Sequence, residues 1–410
     1  MPTTPVTTEL LGEHPELSHI DVGREVSGSW IRGGDGLIGF GVRARTTVTG
    51  KNRFNDARAW WKSQLASYDI RNNVRGSGTG PVLFASFAFN DDQLTELIVP
   101  EIVVGRKNGE SWITWFGSDA HPELSAVSAS TSHPRISWRE GSLQDSVWKS
   151  RVADAVKRIK TGALDKVVLA RDVNADSDSP MDIRAIIHNL ESKYPSTWVF
   201  TVAGLVGATP ELLARLSKSL VTSRVLAGTI RMTGDEAKDL ALAGSLAKSS
   251  KDLEEHEYAV RSVADALAPY CSSTNVPEAP FVLHLANVMH LATDVTGVVN
   301  ESAVPVDIFT VISSLHPSAA VCGTPTEVAR GLIAELEGMN RNRYAGPVGW
   351  VDARGDGEMG IALRCGLLSE DARSVRLFAG CGIVAGSVPE DELAESQAKL
   401  SPMRTALETL

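Results

Sequence analysis

The sequence is sparing in the features that mark several protein classes. Its four cysteines, Cys271, Cys322, Cys365 and Cys381, lie far apart and form no CxxC pair. That spacing excludes a zinc ribbon and a dense disulfide framework, and it points to a reducing cytoplasm. No apolar run reaches the roughly 18 residues needed to span a bilayer, and MPTTPVTTELLGEHPELSH lacks the basic and apolar regions of a secretory signal. A soluble chain without a membrane partner is expected. The 40 Lys and Arg residues, against 50 Asp and Glu, are scattered and not gathered in a stripe, so the footprint of a nucleic-acid binder is missing. An anionic small molecule stays compatible with the net charge of −10, provided a metal or local cations offset the field at its site. Tandem repeats and low-complexity blocks are also absent.

What is present is an ordinary globular composition, 43% hydrophobic and 22% charged, able to bury a large core. Residues 1–22 are polar and aperiodic and are expected to form a loosely held leader. From Val26 onward, SWIRGGDGLIGFGVRARTTV predicts short strands, and FNDARAWWKSQLASY an amphipathic helix opened by an Asn cap. PVLFASFAF, TELIVPEIVVGRKNG and SWITWFG predict further strands. The Ser-, His- and Pro-rich stretch from Asp119 to Gly141 predicts a surface connection. Beyond it the same grammar resumes, with helices at SLQDSVWKSRVADAVKRIKTG and DIRAIIHNLESKY and strands at KVVLARDVN, TWVFTVAG and PELLARLSKS. Both halves mix helix with strand, so a mixed α/β class with two similar layers around one core is expected. Residues 23–410 are expected to form one domain, its N-terminal part over 23–140 and the motif-bearing part over 141–410. Ala237 to Tyr270 predicts one long helical region.

Two acidic pairs stand out. In KSSKDLEEHEYAV, Asp252 and Glu255 are three apart and share a helix face. Alone, such a pair is a solvated surface. Near the C-terminus, VPEDELAESQAKL sets Glu392 and Glu395 at the same spacing, with Lys399 one turn on, directly after the Gly-rich FAGCGIVAGSVPE. Four carboxylates converging from two helices would repel one another unless neutralised, and Mg²⁺ is the natural counter-ion.

The segments KVVLAR, ATPELLARL, LAGTIR, KDLEEHE, HLATDVTG, LHPSAAVCGTP, RYAGPVGWVDARGDGEMGIALRC and AGCGIVAGSVPEDELAESQAK resemble, in this order, the motifs of the chorismate-utilising enzymes. The resemblance runs from Lys166 to Lys399 and is nearest to isochorismate synthase; the first third of the chain is similar only in its strand and helix grammar. It implies an α/β (α+β) fold of two related halves, with large antiparallel sheets packed together and helices outside. It further implies that Glu255 and Glu395 contact Mg²⁺ while Asp252 and Glu392 hold its waters.

Forming isochorismate adds water at C2 of chorismate and expels the C4 hydroxyl, which needs a general base and a general acid in one pocket. The resemblance assigns these roles to Lys166 and Glu211. A lysine serves as a base near neutral pH only if burial or positive neighbours lower its pKa from about 10.4, whereas the glutamate must be desolvated and raised. Family members that use ammonia generally lack a lysine at the position of Lys166 and work with a glutamine amidotransferase. Water as nucleophile, a chain without that partner, and a monomer are therefore expected.

Arg364 and Tyr344 are implied holders of a substrate carboxylate. Gly228 and Thr229 in the AGT turn, and Gly380 and Gly382, are suited to close approach of backbone amides to an anion. His290 matches a pocket histidine, Lys399 completes the substrate-binding set, His316 opens a loop that shapes the wall, and His284 is expected to be a satisfied core residue. Val225 stands where Pro is frequent in the family, and Cys322 has no adjacent activating base. Salicylate synthase, which eliminates pyruvate after making isochorismate, is the competing activity; a non-catalytic metal-binding homologue is the competing class. The product would feed menaquinone, siderophore or salicylate synthesis, a choice set by neighbouring enzymes.

Overall fold

The structure, a computed structural model, describes residues 3–12, 16–117, 120–126, 134–285, 288–300 and 306–410. Short β-branched and aromatic runs between Gly, Asn and Asp turns form strands; Val82–Ser86 and Leu205–Thr209 are buried at every position, the pattern of strands covered on both faces. Among the described residues the strands build one sheet of 13, another of 10, and a two-stranded pair of Ile20–Asp21 with Ser125–Ala126. Neighbours run antiparallel except Thr4–Leu11, which lies parallel to Tyr68–Asn72.

Each half of the chain visits the two sheets in the same order. Val26–Arg32 and Asp35–Phe40 enter the larger sheet, Val82–Ser86 and Thr95–Val99 the smaller, and Ile102–Lys107 and Glu110–Phe116 return to the larger. The second half repeats this with Trp198–Val202 and Leu205–Thr209, then Pro347–Asp352 and Gly357–Ile361, then Cys365–Leu368 and Ser374–Ile383. The halves join by antiparallel pairing in both sheets, Val199 opposite Ile31 and Trp350 opposite Phe84. Trp30, Phe84, Phe87, Phe200 and Trp350 belong to one continuous core. The approach is close enough that a Cβ on Gly28 would lie 2.5 Å from the Phe84 ring.

Helices Ile183–Lys193 and Pro389–Glu408 cover the larger sheet through Ile186, Leu190, Leu400 and Met403. The first is capped by Asp182, whose side chain accepts the Arg184 N–H. Glu236–Leu246 and Ser250–Leu267 lie against the long strands Leu220–Arg231 and Val288–Val299. No helix among the described residues is long and apolar enough to cross a membrane.

Four expectations are corrected. The described part of residues 1–22 is not a loosely held leader. Thr4–Leu11 is a strand paired with Glu110–Phe116, with Val6 and Thr8 fully buried, and Leu17 and Ile20 pack into the core. The region from Ala237 to Tyr270 is not one helix. It breaks after Leu246, and Ser249 restarts it as an N-cap whose hydroxyl accepts the Asp252 N–H. Of the expected surface connection, residues 119 and 127–133 lie outside the described residues, and Ile136–Glu140 is an edge strand paired with Val173–Ser177. The asparagine expected to cap the helix of FNDARAWWKSQLASY, Asn55, instead lies inside helix Arg53–Leu65, whose cap position is held by Asn52 without a side-chain cap hydrogen bond.

Candidate active site

A cavity of about 350 Å³ opens beside two places where the chain leaves one sheet for the other. Pro210 and Glu211 link Leu205–Thr209 in the larger sheet to Leu212–Ser217 in the smaller, and Ala362–Arg364 link Gly357–Ile361 back to Cys365–Leu368. The crossings brace each other: Ile361 N–H donates to Glu211 O at 3.1 Å, and Ala208 N–H to Arg364 O at 3.2 Å. Arg364 makes its turn with φ +50, an uncommon left-handed conformation for a non-glycine residue. Glu211 and Arg364 both line the cavity.

The remaining expected residues arrive from other elements. Lys166 opens the strand Lys166–Ser177, and Gly380 and Gly382 lie on the neighbouring strand Ser374–Ile383. Their lack of side chains makes the space: a Cβ on Gly382 would lie 2.8 Å from Lys166 Cε, and one on Gly380 3.0 Å from the Tyr344 hydroxyl. Tyr344 is stacked on Phe378, with ring centroids 5.2 Å apart. The AGT segment is corrected from a turn to a β-bulge. Ala227 faces Leu291 and Thr229 faces His290, which leaves Gly228 as the extra residue with φ +78. Thr229 Oγ1 lies 2.9 Å from His290 Nδ1, whereas the buried Nε2 has no hydrogen-bond partner among the described residues. Lys166, Gly228, Thr229, His290, Tyr344, Gly380 and Gly382, together with Asp252, Glu392, Glu395 and Lys399, line this cavity. Glu255 follows Asp252 by one helical turn, but its side chain lies outside what the structure describes.

Burial and charge divide the titratable groups into distinct states. Burial pushes the Glu211 carboxyl up to about 8, even against the opposing charges of Lys166, Arg364 and Lys399. It is therefore mostly protonated at neutral pH. Burial, with Arg364 and Lys399, lowers the His290 imidazole to about 3, so this ring stays neutral. Burial also lowers Arg364, and among the described residues the guanidinium forms no ion pair; such a group is suited to accept a ligand carboxylate in bidentate fashion. Lys399 differs, because it is already committed to Glu395 Oε1 at 2.6 Å and Gly380 O at 2.8 Å. Burial would raise Glu395, but Lys399, Arg364 and Lys166 together bring it below its usual value, whereas Glu392 is raised by burial.

The acidic groups fit a hard divalent cation. Ligand atoms of Glu392, Glu395 and Cys381 lie within 4.8 Å of one another, and Asp252 joins the same cavity from the helix Ser250–Leu267. Burial raises the Cys381 thiol, which donates to Glu392 O at 3.3 Å, so it stays protonated and leaves oxygen donors as the available set. Asp252 also receives a hydrogen bond from Ser249 Oγ, so this carboxylate has one partner on its own helix.

Other residues depart from their expected places. His316 does not line the cavity; it stacks edge-on to Phe89 and lies 3.1 Å from Phe89 O, while Ala320 and Val321 of its loop form the wall. His284 is exposed at the end of Phe281–His284 and is not a core residue: among the described residues this strand pairs only with Val288–Val299. Cys322 is buried outside the cavity with its thiol pushed up to about 11. His256 gives no signal in the sequence beyond its place beside Glu255. It ties the acidic helix to the bulge, with Nε2 2.7 Å from Thr293 Oγ1 and Nδ1 3.3 Å from Ala227 O.

A family model described as chorismate binding enzyme matches residues 33–408. The chain is 32% identical over 405 residues to isochorismate synthase MenF of Bacillus subtilis, covering 90% of this chain and 85% of that one. It is 32% identical over 328 residues to isochorismate synthase EntC of Escherichia coli, covering 79% and 80%. The solved structure of MenF, the menaquinone-specific isochorismate synthase from Escherichia coli, superimposes with a TM-score of 0.81 at 24% identity, covering 99% of this chain and 95% of that one, and so shares the fold.

Proposed function

The chain belongs to the chorismate-binding enzyme family, and from that premise we propose that it is an isochorismate synthase: an Mg²⁺-dependent isomerase that adds water at C2 of chorismate and expels the C4 hydroxyl. The observation that carries this reading is that Lys166 and a Glu211 carboxyl raised to about 8 line one cavity. A base and a protonated acid facing the same substrate are what the reaction needs.

In this reading Lys166 takes a proton from the water whose oxygen bonds to C2. The ring's two double bonds shift, the C4–O bond breaks, and Glu211 donates its proton so that the leaving group departs as water. One water enters and one leaves, so the atoms balance. Arg364 holds a carboxylate through its fork, and the Tyr344 hydroxyl adds a donor beside it. Neutral His290 offers Nε2 to the substrate, its other nitrogen being occupied by Thr229. A bound Mg²⁺ would be held by Glu255 and Glu395, with Asp252 and Glu392 on its waters, and would supply positive charge to one substrate carboxylate. No amidotransferase subunit takes part, and the enzyme acts as a cytoplasmic monomer.

Identifying the product of chorismate and Mg²⁺ by NMR tests the proposal. Isochorismate without pyruvate is expected. Salicylate with pyruvate would reassign the chain to salicylate synthesis, and no turnover would leave a metal-binding homologue.

A further inference from the structure

The strand that begins at Lys166 completes part of its outer edge with side chains where a neighbouring strand is missing. Along one edge Lys166–Ser177 pairs with Ser374–Ile383. Along the other, Ile136–Glu140 covers Val173–Ser177, and Gly323–Thr324 covers only Lys166 and Val167. Between these, the backbone groups are met one at a time. Val168 N–H donates to Cys322 O at 2.8 Å, and Val168 O accepts from Arg341 Nη2 at 2.8 Å. Ala170 N–H donates to Glu337 Oε1 at 2.7 Å, and Ala170 O accepts from Trp148 Nε1 at 3.1 Å.

Arg341 and Glu337 are each 2% exposed and form an ion pair. Arg341 Nη1 also donates to Val321 O at 2.8 Å, and Arg341 O accepts the Tyr344 N–H at 2.9 Å. Arg341, which itself reaches the cavity lining, thereby joins the Lys166 strand, the Val321 loop and the turn carrying Tyr344, all of which wall the cavity. A buried ion pair is weak ground for stability, because desolvation offsets much of the attraction. A planar fork with fixed donor directions does, however, set geometry.

We propose that the Glu337–Arg341 pair is a positioning device for Lys166, fixing the strand that carries it against the cavity wall. The inference rests on the reading of Lys166 as general base. Displacing a reacting group by about 1 Å lowers rates on the order of 100-fold, so the pair acts on the chemical step and not on substrate capture.

The test uses Glu337→Gln, which keeps the side-chain shape, and Arg341→Lys, which keeps the charge but loses the fork. Single-turnover rates with enzyme in excess report the chemistry independently of the fraction of active protein; KM and the melting midpoint are measured alongside. The expected result is a fall of roughly 10- to 100-fold in the single-turnover rate, with KM within about 3-fold of wild type and melting above the assay temperature. An unchanged single-turnover rate in folded variants would overturn the proposal, as would a rise in KM that accounts for the whole loss. Should Arg341→Lys not fold, Glu337→Gln decides. Wild-type protein that released no isochorismate would overturn the parent reading and this inference with it, an outcome visible before any variant is compared.

Discussion

Replacing Glu211 with Gln is expected to cut turnover sharply and, above neutral pH, to stabilise the protein. Burial raises this carboxyl from 4.5 to about 8, and the side chain is 6% exposed. Its folded pKa is raised, so the stability contributed by the neutral carboxyl is fully present below about 4.5 and is lost as pH rises through about 8. Between pH 5 and pH 8 the unfolded chain releases the proton while the folded chain largely keeps it. At about 1.36 kcal/mol per pH unit, wild type loses roughly 3 to 4 kcal/mol over that window through this one group. Glutamine cannot ionise and avoids the loss. Urea unfolding of both proteins at pH 5, 6, 7 and 8 isolates the effect, because titrating groups away from Glu211 cancel in the difference. The stability of Glu211→Gln minus that of wild type should climb by roughly 3 to 4 kcal/mol across the series, while kcat falls by roughly 100- to 10,000-fold, the span expected for loss of a general acid. A difference that stays flat with pH would mean that Glu211 ionises like a solvent carboxyl, and the assignment of the acid would fail.

Three further outcomes follow from the site. Gly382→Ala places a Cβ 2.8 Å from Lys166 Cε, so kcat should fall roughly 10- to 100-fold with the Mg²⁺ requirement unchanged; steady-state kinetics at varied Mg²⁺ checks this. Arg364→Lys removes the bidentate fork and should raise KM for chorismate by about 10- to 100-fold, equivalent to losing a charge-assisted pair of hydrogen bonds. EDTA should abolish turnover and added Mg²⁺ restore it, and Glu395→Gln should raise the Mg²⁺ needed for half-maximal rate by at least about 10-fold, as read from a metal titration.

Strand and helix grammar was legible from the sequence because turn residues punctuate it, and both halves show it. Sheet membership was not: whether Trp198–Val202 pairs with Val26–Arg32, or Pro347–Asp352 with Val82–Ser86, depends on contacts far apart in the chain. Thr4–Leu11 escaped because TPVTTELL is largely polar and is a strand only through its partners on both sides. Asp252 with Glu255, and Glu392 with Glu395, were legible as pairs from helical spacing. The meeting of Lys166, Glu211, Arg364 and Lys399 in one cavity came through resemblance alone, since no local spacing connects them. The raised state of Glu211 follows from its position at a sheet crossing, which sequence does not encode locally. Arg341 and Glu337 look like an ordinary i, i+4 surface pair in the sequence, and only the missing strand beside Val168 and Ala170 gives them a role.

The central claim is that water from solvent becomes the C2 hydroxyl while the C4 hydroxyl departs. Turnover of chorismate with Mg²⁺ in ¹⁸O-labelled water, followed by NMR and mass spectrometry of the product, tests it directly. Isochorismate bearing one ¹⁸O, located on C2, is the result predicted; unlabelled isochorismate, or label on any other atom of the product, would contradict it.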